Sequence, residues 1–219
     1  MAETTTVVAP GAHDVAHGAH GAGGLQPGDH GWTATGVSNE KLAMWMFLGS
    51  ECLLFGGLIS TYLLYKSRVP VGGGTTPADV YDIPFTSVSS GVLLFSSLTM
   101  VLAVVAIARA DHRATRIWLG STALLGSIFI AGQVYEFTSF VKEGVGFTSN
   151  VASTAFFTLT GFHGVHVTLG IVMLLSLLVL SIRGRLPIER AETVEIIGLY
   201  WHFVDVVWIV IFTIVYLIP

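Results

Sequence analysis

Charge is what this sequence has least of. Lys, Arg, Asp and Glu make up 11% of its 219 residues, against about 25% in an ordinary soluble domain. With 53% hydrophobic residues and a mean hydropathy of +0.74, the chain falls in the membrane class. The net charge of −4 gives no electrostatic footprint for nucleic acid. Cysteine occurs once, at Cys52, so an intrachain disulfide is excluded. Cys52 lies in an apolar run and is expected to be a packed core thiol. The first residues have neither a basic n-region nor an apolar h-region, so they do not read as a signal peptide.

Five long apolar segments are present: roughly 42–65, 85–109, 117–140, 155–182 and 194–217. Each reaches the ~20 residues that a helix needs to cross a hydrocarbon core. Helices are required there, because lipid offers backbone groups no partner. The fold expected is all-α, a polytopic bundle of five transmembrane helices over 39–219. Residues 1–38 (GAHDVAHGAHGAGG and its surroundings) are rich in Gly, Ala, Thr and His and have no hydrophobic period. They read as a disordered tail, whose His13, His17, His20 and His30 could at most scavenge a metal. Alternating the loops across the bilayer puts Lys41, Arg109, Arg113, Arg116, Arg183, Arg185 and Arg190 on one side and Lys66, Arg68 and Lys142 on the other. The richer side is expected to be cytoplasmic. The N-terminus is then cytoplasmic and the C-terminus periplasmic. Tyr62, Tyr65, Trp118, Tyr135 and Tyr216 lie near segment ends, as an aromatic belt would.

Ionisable groups within the spans are few: Glu51, Glu136, His163, His166, His202 and Asp205. Each costs about 2.5–3.5 kcal/mol at a helix centre on the insertion scale, so each needs a partner or a purpose. Glu51 lies some ten residues into the first span. Its carboxyl is expected to be neutral or tightly hydrogen-bonded in apolar surroundings. His163 and His166 are three apart, as are His202 and Asp205, so each pair shares a helix face. Two such faces have the makings of a metal site in a bundle core. The carboxylates, however, do not follow the Glu plus Glu-x-x-His pattern, and histidines so placed more often bond across helices. The reading adopted is interhelical bonding with no metal. Trp201 and Trp208 flank Asp205 on one face, which brings their indole N–H groups near the carboxylate. Gly161 and Gly164 bracket His163 and allow close approach of another helix. Gly56 and Gly57 offer the same on the first span, the expected contact with a partner.

Four stretches resemble a known family. GFHGVHVTLG (161–170) and YWHFVDVVWIVIF (200–212) look like the fourth- and last-span signatures of subunit III of the haem–copper terminal oxidases. GQVYEF (132–137) and GSECLLF (49–55) are similar to its glutamate-bearing segments. Order and spacing agree from about residue 42 to 219. The resemblance implies a bacterial cytoplasmic (inner) membrane protein with no catalytic centre of its own. It implies that haem and copper sit on partner subunits, I for the active site and II for electron entry. This chain would pack on subunit I in a complex with subunit II, bind phospholipid, support proton uptake and complex stability, and join larger assemblies such as a respiratory supercomplex. Glu51, Glu136, His163, His166, His202 and Asp205 carry over as characteristic polar positions, not catalytic ones. The longest members of the family have seven spans. The N-terminal pair is replaced here by the His/Gly-rich tail, as in short bacterial forms.

Cytochrome c is the expected electron donor, since Glu51 stands where the quinol-type pattern has an aspartate. A quinol oxidase subunit is the alternative. A free-standing proton channel or transporter is the rival of another class. No Gly/Pro-broken half-helices or repeat symmetry favour it.

Overall fold

The computed structural model describes residues 38–66, 82–185 and 191–218. The expectation of a disordered tail lies outside these residues except at Ser38. Five helices long and apolar enough to span a membrane are found among the described residues: α1 (Asn39–Lys66), α2 (Ile83–Ala108), α3 (His112–Lys142), α4 (Val151–Ile182) and α5 (Ala191–Phe212). A π turn over Thr213–Leu217 continues α5. The helices start earlier than the apolar segments because polar caps extend them. Asp82 accepts from the Phe85 amide at 3.1 Å. Asp111 accepts from Arg113 and Ala114 at 3.1 and 3.0 Å, and Asn150 from Ser153 at 2.7 Å. Each satisfies a backbone donor left without an intrahelical partner. Ser38, placed with the tail on sequence, caps α1: its Oγ accepts from the Lys41 amide and donates to the Glu192 carboxylate of α5.

Three helices stop in the same way. After α3 and α4 the chain turns through left-handed Gly144 (φ 85°) and Gly184 (φ 66°), and after α2 through Ala110 (φ 58°). In each case the amide one residue on reaches back to the carbonyl of the third-last helical residue: Asp111 to Ala106, Val145 to Phe140 and Arg185 to Leu180. This is the Schellman closure, for which glycine is best suited. It makes the α2–α3 connection short enough to keep the two helices antiparallel neighbours, and they form an extensively packed pair.

The contacts close a ring: α2 on α3, α3 on α4, α4 on α5 and α5 on α2. Helix α1 lies outside this ring, against α4 and α5. It buries one stripe, Leu48, Phe55 and Tyr62, spaced by seven residues as a single helix–helix seam requires. The rest of α1 faces outward, including Trp45 (57% exposed) and Leu53 (80%). Cys52 is off the stripe and exposed, which corrects the expectation of a core thiol: an apolar run in a membrane helix marks lipid contact as readily as a core. Gly56 and Gly57 are also on the outer face, with no atom within 4 Å of a side chain built there.

The basic residues mark one end of the bundle. There Lys41 pairs with Glu195 at 2.7 Å, and the Arg116 guanidinium donates to the Ser181 carbonyl at 2.7 Å. At the other end the Lys66 ammonium donates to the Ile214 carbonyl at 3.0 Å and to that of Ile218, serving oxygens at the C-terminus of the last helix. The aromatic belt needs correction. Tyr135 is 66% exposed, but Tyr62 and Tyr216 are buried in the core.

Candidate functional site: polar contacts between the membrane helices

The six candidate residues do not converge on one point. They divide into four sites, each joining two or three helices, and most meet partners on another helix.

Glu51 is one turn from Leu48 and Phe55 and so turns toward α4. Its Oε2 lies 3.1 Å from His166 Nε2. The other ring nitrogen, Nδ1, is 2.8 Å from the Phe162 carbonyl, an acceptor only, so Nδ1 carries a proton. The Nε2–Oε2 contact then holds one shared proton, whether it sits on the carboxyl or on the ring. Tyr200 of α5 donates to the His166 carbonyl at 3.0 Å, and Phe55 places its edge against the imidazole at 5.1 Å. The depth of Glu51 in the first span calls for a neutral carboxyl or a hydrogen-bond partner, and the sequence does not single out His166, 115 residues away.

His163 is fully buried. Its ring stacks on Trp208 at 4.8 Å and meets Phe129 edge-on at 6.0 Å. Nε2 donates to the Val204 carbonyl of α5 at 3.2 Å. Thus the two histidines of α4 serve different neighbours, His163 reaching α5 and His166 reaching α1. A shift of three residues turns the side chain by about 60° around the helix, enough to separate them. No group of three or more His, Cys, Asp or Glu side chains suited to holding a metal is present among the described residues.

Asp205 and His202 meet α2. Ser97 donates to Asp205 Oδ2 at 2.6 Å, and its Oγ can then accept from His202 Nδ1 at 3.3 Å. The expectation for the tryptophans is overturned here. The Trp201 indole donates to Ser96 at 3.0 Å and the Trp208 indole to Ser90 at 2.8 Å, not to Asp205. Sharing a face brings the three side chains to α2, but α2 answers each with its own serine. Thr86, Ser90, Leu93 and Ser97 fall on one heptad stripe of α2 with Ser96 beside it, the signal from which the partners on the stripe could have been found.

Glu136 is buried on α3. It accepts from Thr86 of α2 at 2.7 Å and from the Tyr216 hydroxyl at 3.0 Å. Tyr216 thereby belongs to the core rather than to the belt.

The close helix approaches also differ from expectation. Nothing lies within 4 Å of a side chain built on Gly161 or Gly164, so they do not serve packing within the chain. Gly126 of α3 and Gly170 of α4 do. They clasp the Trp201 indole, and a Cβ on either would sit 2.5 Å or 2.9 Å from its ring carbons. This is close packing through small residues in the usual membrane manner, with a tryptophan rather than a backbone filling the space.

These contacts tie together the segments whose resemblance was noted above, and comparison with known proteins gives the same reading. The family model for cytochrome c oxidase subunit III matches residues 22–218. The chain is 39% identical to the cytochrome c oxidase subunit 3 of Bacillus sp. (strain PS3), over 82% of this chain and 86% of that one. It is 40% identical to a probable quinol oxidase subunit 3 of Staphylococcus saprophyticus, over 82% and 89%. It is 32% identical to the cytochrome bo(3) ubiquinol oxidase subunit 3 of Pseudomonas aeruginosa, over 94% and 92%. With matches that run almost from end to end, the chain belongs to the subunit III family of the haem–copper oxidases.

Proposed function

We propose that this chain is the accessory, non-redox subunit III of a proton-pumping cytochrome c oxidase in a bacterial cytoplasmic membrane. In this reading it packs on subunit I beside subunit II, and its basic end faces the cytoplasm. Haem and copper are carried by those partners, phospholipid is bound at the bundle surface, and the subunit supports proton uptake and the durability of the complex. The observation that carries the reading is the way the intramembrane polar groups are engaged. Glu51, Glu136, His163 and Asp205 each bond to another helix, which is the work of a scaffold. The outward face of α1 supports a life within a larger assembly, being largely unburied within the chain.

The quinol oxidase reading has its own support, since the relatives above include subunits named for either donor. One purification addresses both. A tagged chain extracted from membranes in mild detergent is expected to bring down haem- and copper-containing subunits. The complex is expected to oxidise reduced cytochrome c faster than quinol, and the separated subunit to be colourless. A stable colourless homo-oligomer from native membranes would instead favour the channel.

The outer face of α1 is the proposed contact with subunit I. Gly56→Leu with Gly57→Leu adds bulk on a face where a Cβ meets no atom within 4 Å. Membrane insertion is expected to be unchanged and recovery of subunit I to fall. Full recovery with full oxidase activity would remove α1 from the interface.

A further inference from the structure

Beside α1 the bundle carries a cleft with charges of both signs at its mouth. Helices α1 and α2 both pack on α5. Between them a groove of about 300 Å3 is lined by Lys41 and Trp45 of α1, Val101 and Val105 of α2, and Glu195 and Leu199 of α5. Lys41 and Glu195 stand at its outer end, near the starts of their helices. His202 marks the inner end, seven residues or about 10 Å farther along α5. The α2 wall is apolar and open, with Val101 45% and Val105 38% exposed.

Size excludes one kind of occupant. Spread over that length, the groove averages about 30 Å2 in cross-section, whereas a helix about 10 Å across needs about 80 Å2. The groove suits an extended chain rather than a helix.

The mouth selects which chain. The Lys41 ammonium gives one N–H to Glu195 Oε2 at 2.7 Å, and an ammonium has three to give. Among the described residues nothing donates to Glu195 Oε1. Both side chains are partly open, 34% and 43% exposed. The neighbouring acid, Glu192, is engaged by Ser38. A cation and an anion therefore stand side by side with hydrogen-bonding capacity to spare. An anionic headgroup is attracted by Lys41 and repelled by Glu195. A zwitterionic headgroup satisfies both, and a primary ammonium gives the carboxylate a charge-assisted N–H bond, which a trimethylammonium has no hydrogen to make. Trp45 lies four residues, about 6 Å, deeper than Lys41. It is 57% exposed, and its indole N–H meets no acceptor among the described residues. Tryptophans at this level sit with the ring in apolar surroundings and the N–H on a polar partner. The ester carbonyls of a glycerophospholipid follow its phosphate at that depth.

We propose that the groove between α1, α2 and α5 holds a phosphatidylethanolamine molecule. Its phosphate lies on Lys41, its ammonium on Glu195, an ester carbonyl on Trp45, and one acyl chain along Val101, Val105 and Leu199. This rests on the lipid binding proposed above and gives it a site and a headgroup.

The test uses the intact complex, incubated in turn with vesicles of phosphatidylethanolamine, phosphatidylcholine and phosphatidylglycerol, re-purified in mild detergent and weighed by native mass spectrometry. Phosphatidylethanolamine is expected to be retained over the other two. Glu195→Gln is expected to lower that preference about twofold to fivefold, the range of half-exposed charge pairs. Val105→Phe, which narrows the groove and leaves the ion pair in place, is expected to displace the lipid whatever its headgroup. Equal retention of the three lipids, or preference for phosphatidylglycerol, overturns the proposal. So does retention unchanged by both variants, which would place the lipid elsewhere on the bundle. A complex that retains no phospholipid of any kind rejects the lipid-binding reading itself.

Discussion

Gly126→Ala and Gly170→Ala are each expected to destabilise the folded subunit by about 1–3 kcal/mol, the usual range for overpacking a filled core. One methyl group is an unusually small change for such a loss. The reason is that Trp201 has nowhere to go. A Cβ on Gly126 would lie 2.5 Å from Cη2 of the indole, and one on Gly170 would lie 2.9 Å from Cε3 and Cζ3. Its Nε1 is held by Ser96 at 3.0 Å. Retreat from one helix drives the ring into the other or breaks the hydrogen bond. In an unconstrained helix the same change would favour the helix by up to about 1 kcal/mol, and steric repulsion overrides that gain. Gly91→Ala, with nothing within 4 Å, is the control and is expected to match the unaltered protein or exceed it. Thermal midpoints of the detergent-purified complex give the measurement. Combining Gly126→Ala with Trp201→Phe should cost less than the two changes summed, because the smaller ring vacates the contested volume. Strict additivity, or a Gly126→Ala protein as stable as the control, would show that Trp201 is not wedged there.

Loss of His166 is expected to be worse than loss of Glu51, although both changes break the same 3.1 Å contact. His166→Leu leaves a carboxyl at the edge of α1 without its imidazole. An ionisable carboxyl left without a partner inside a membrane span costs up to about 2.5–3.5 kcal/mol on the insertion scale. Glu51→Leu forfeits about 1–2 kcal/mol of interhelical bonding, but it leaves an imidazole whose Nδ1 remains bonded to the Phe162 carbonyl. The double Leu variant should therefore recover part of the stability lost in His166→Leu. Glu51→Gln keeps a side chain able to bond Nε2, and is expected to assemble with a modest loss of activity. Urea or thermal unfolding of the four proteins, with oxidase turnover beside it, reads these differences. Equal losses for His166→Leu and Glu51→Leu would mean that the desolvation of Glu51 is compensated by a group outside this chain.

The sequence by itself determined the class, the number of spans and the family. Those follow from quantities local to the chain: runs of apolar residues long enough to cross a bilayer, the scarcity of charge, and four motifs whose residues are close together in sequence. It also identified which polar residues needed partners, because the hydrocarbon core penalises any that lack one. What only the tertiary structure decided was the identity of those partners. Glu51 meets His166, Glu136 meets Thr86 and Tyr216, and the two tryptophans meet serines of α2. Each contact joins residues from different helices, and their pairing depends on the order of helices around the ring and on the rotation of each. Hydropathy carries little of that information in a membrane. A residue facing lipid and one facing the core are alike apolar, so Cys52 reads as buried yet lies outside, while Tyr62 and Tyr216 read as interfacial yet lie within. The glycines show the same division. Sequence marks Gly56, Gly57, Gly161 and Gly164 as places where something can come close. Packing alone decides that Gly126 and Gly170 receive Trp201, and that Gly56, Gly57, Gly161 and Gly164 are left open to whatever lies beside the chain.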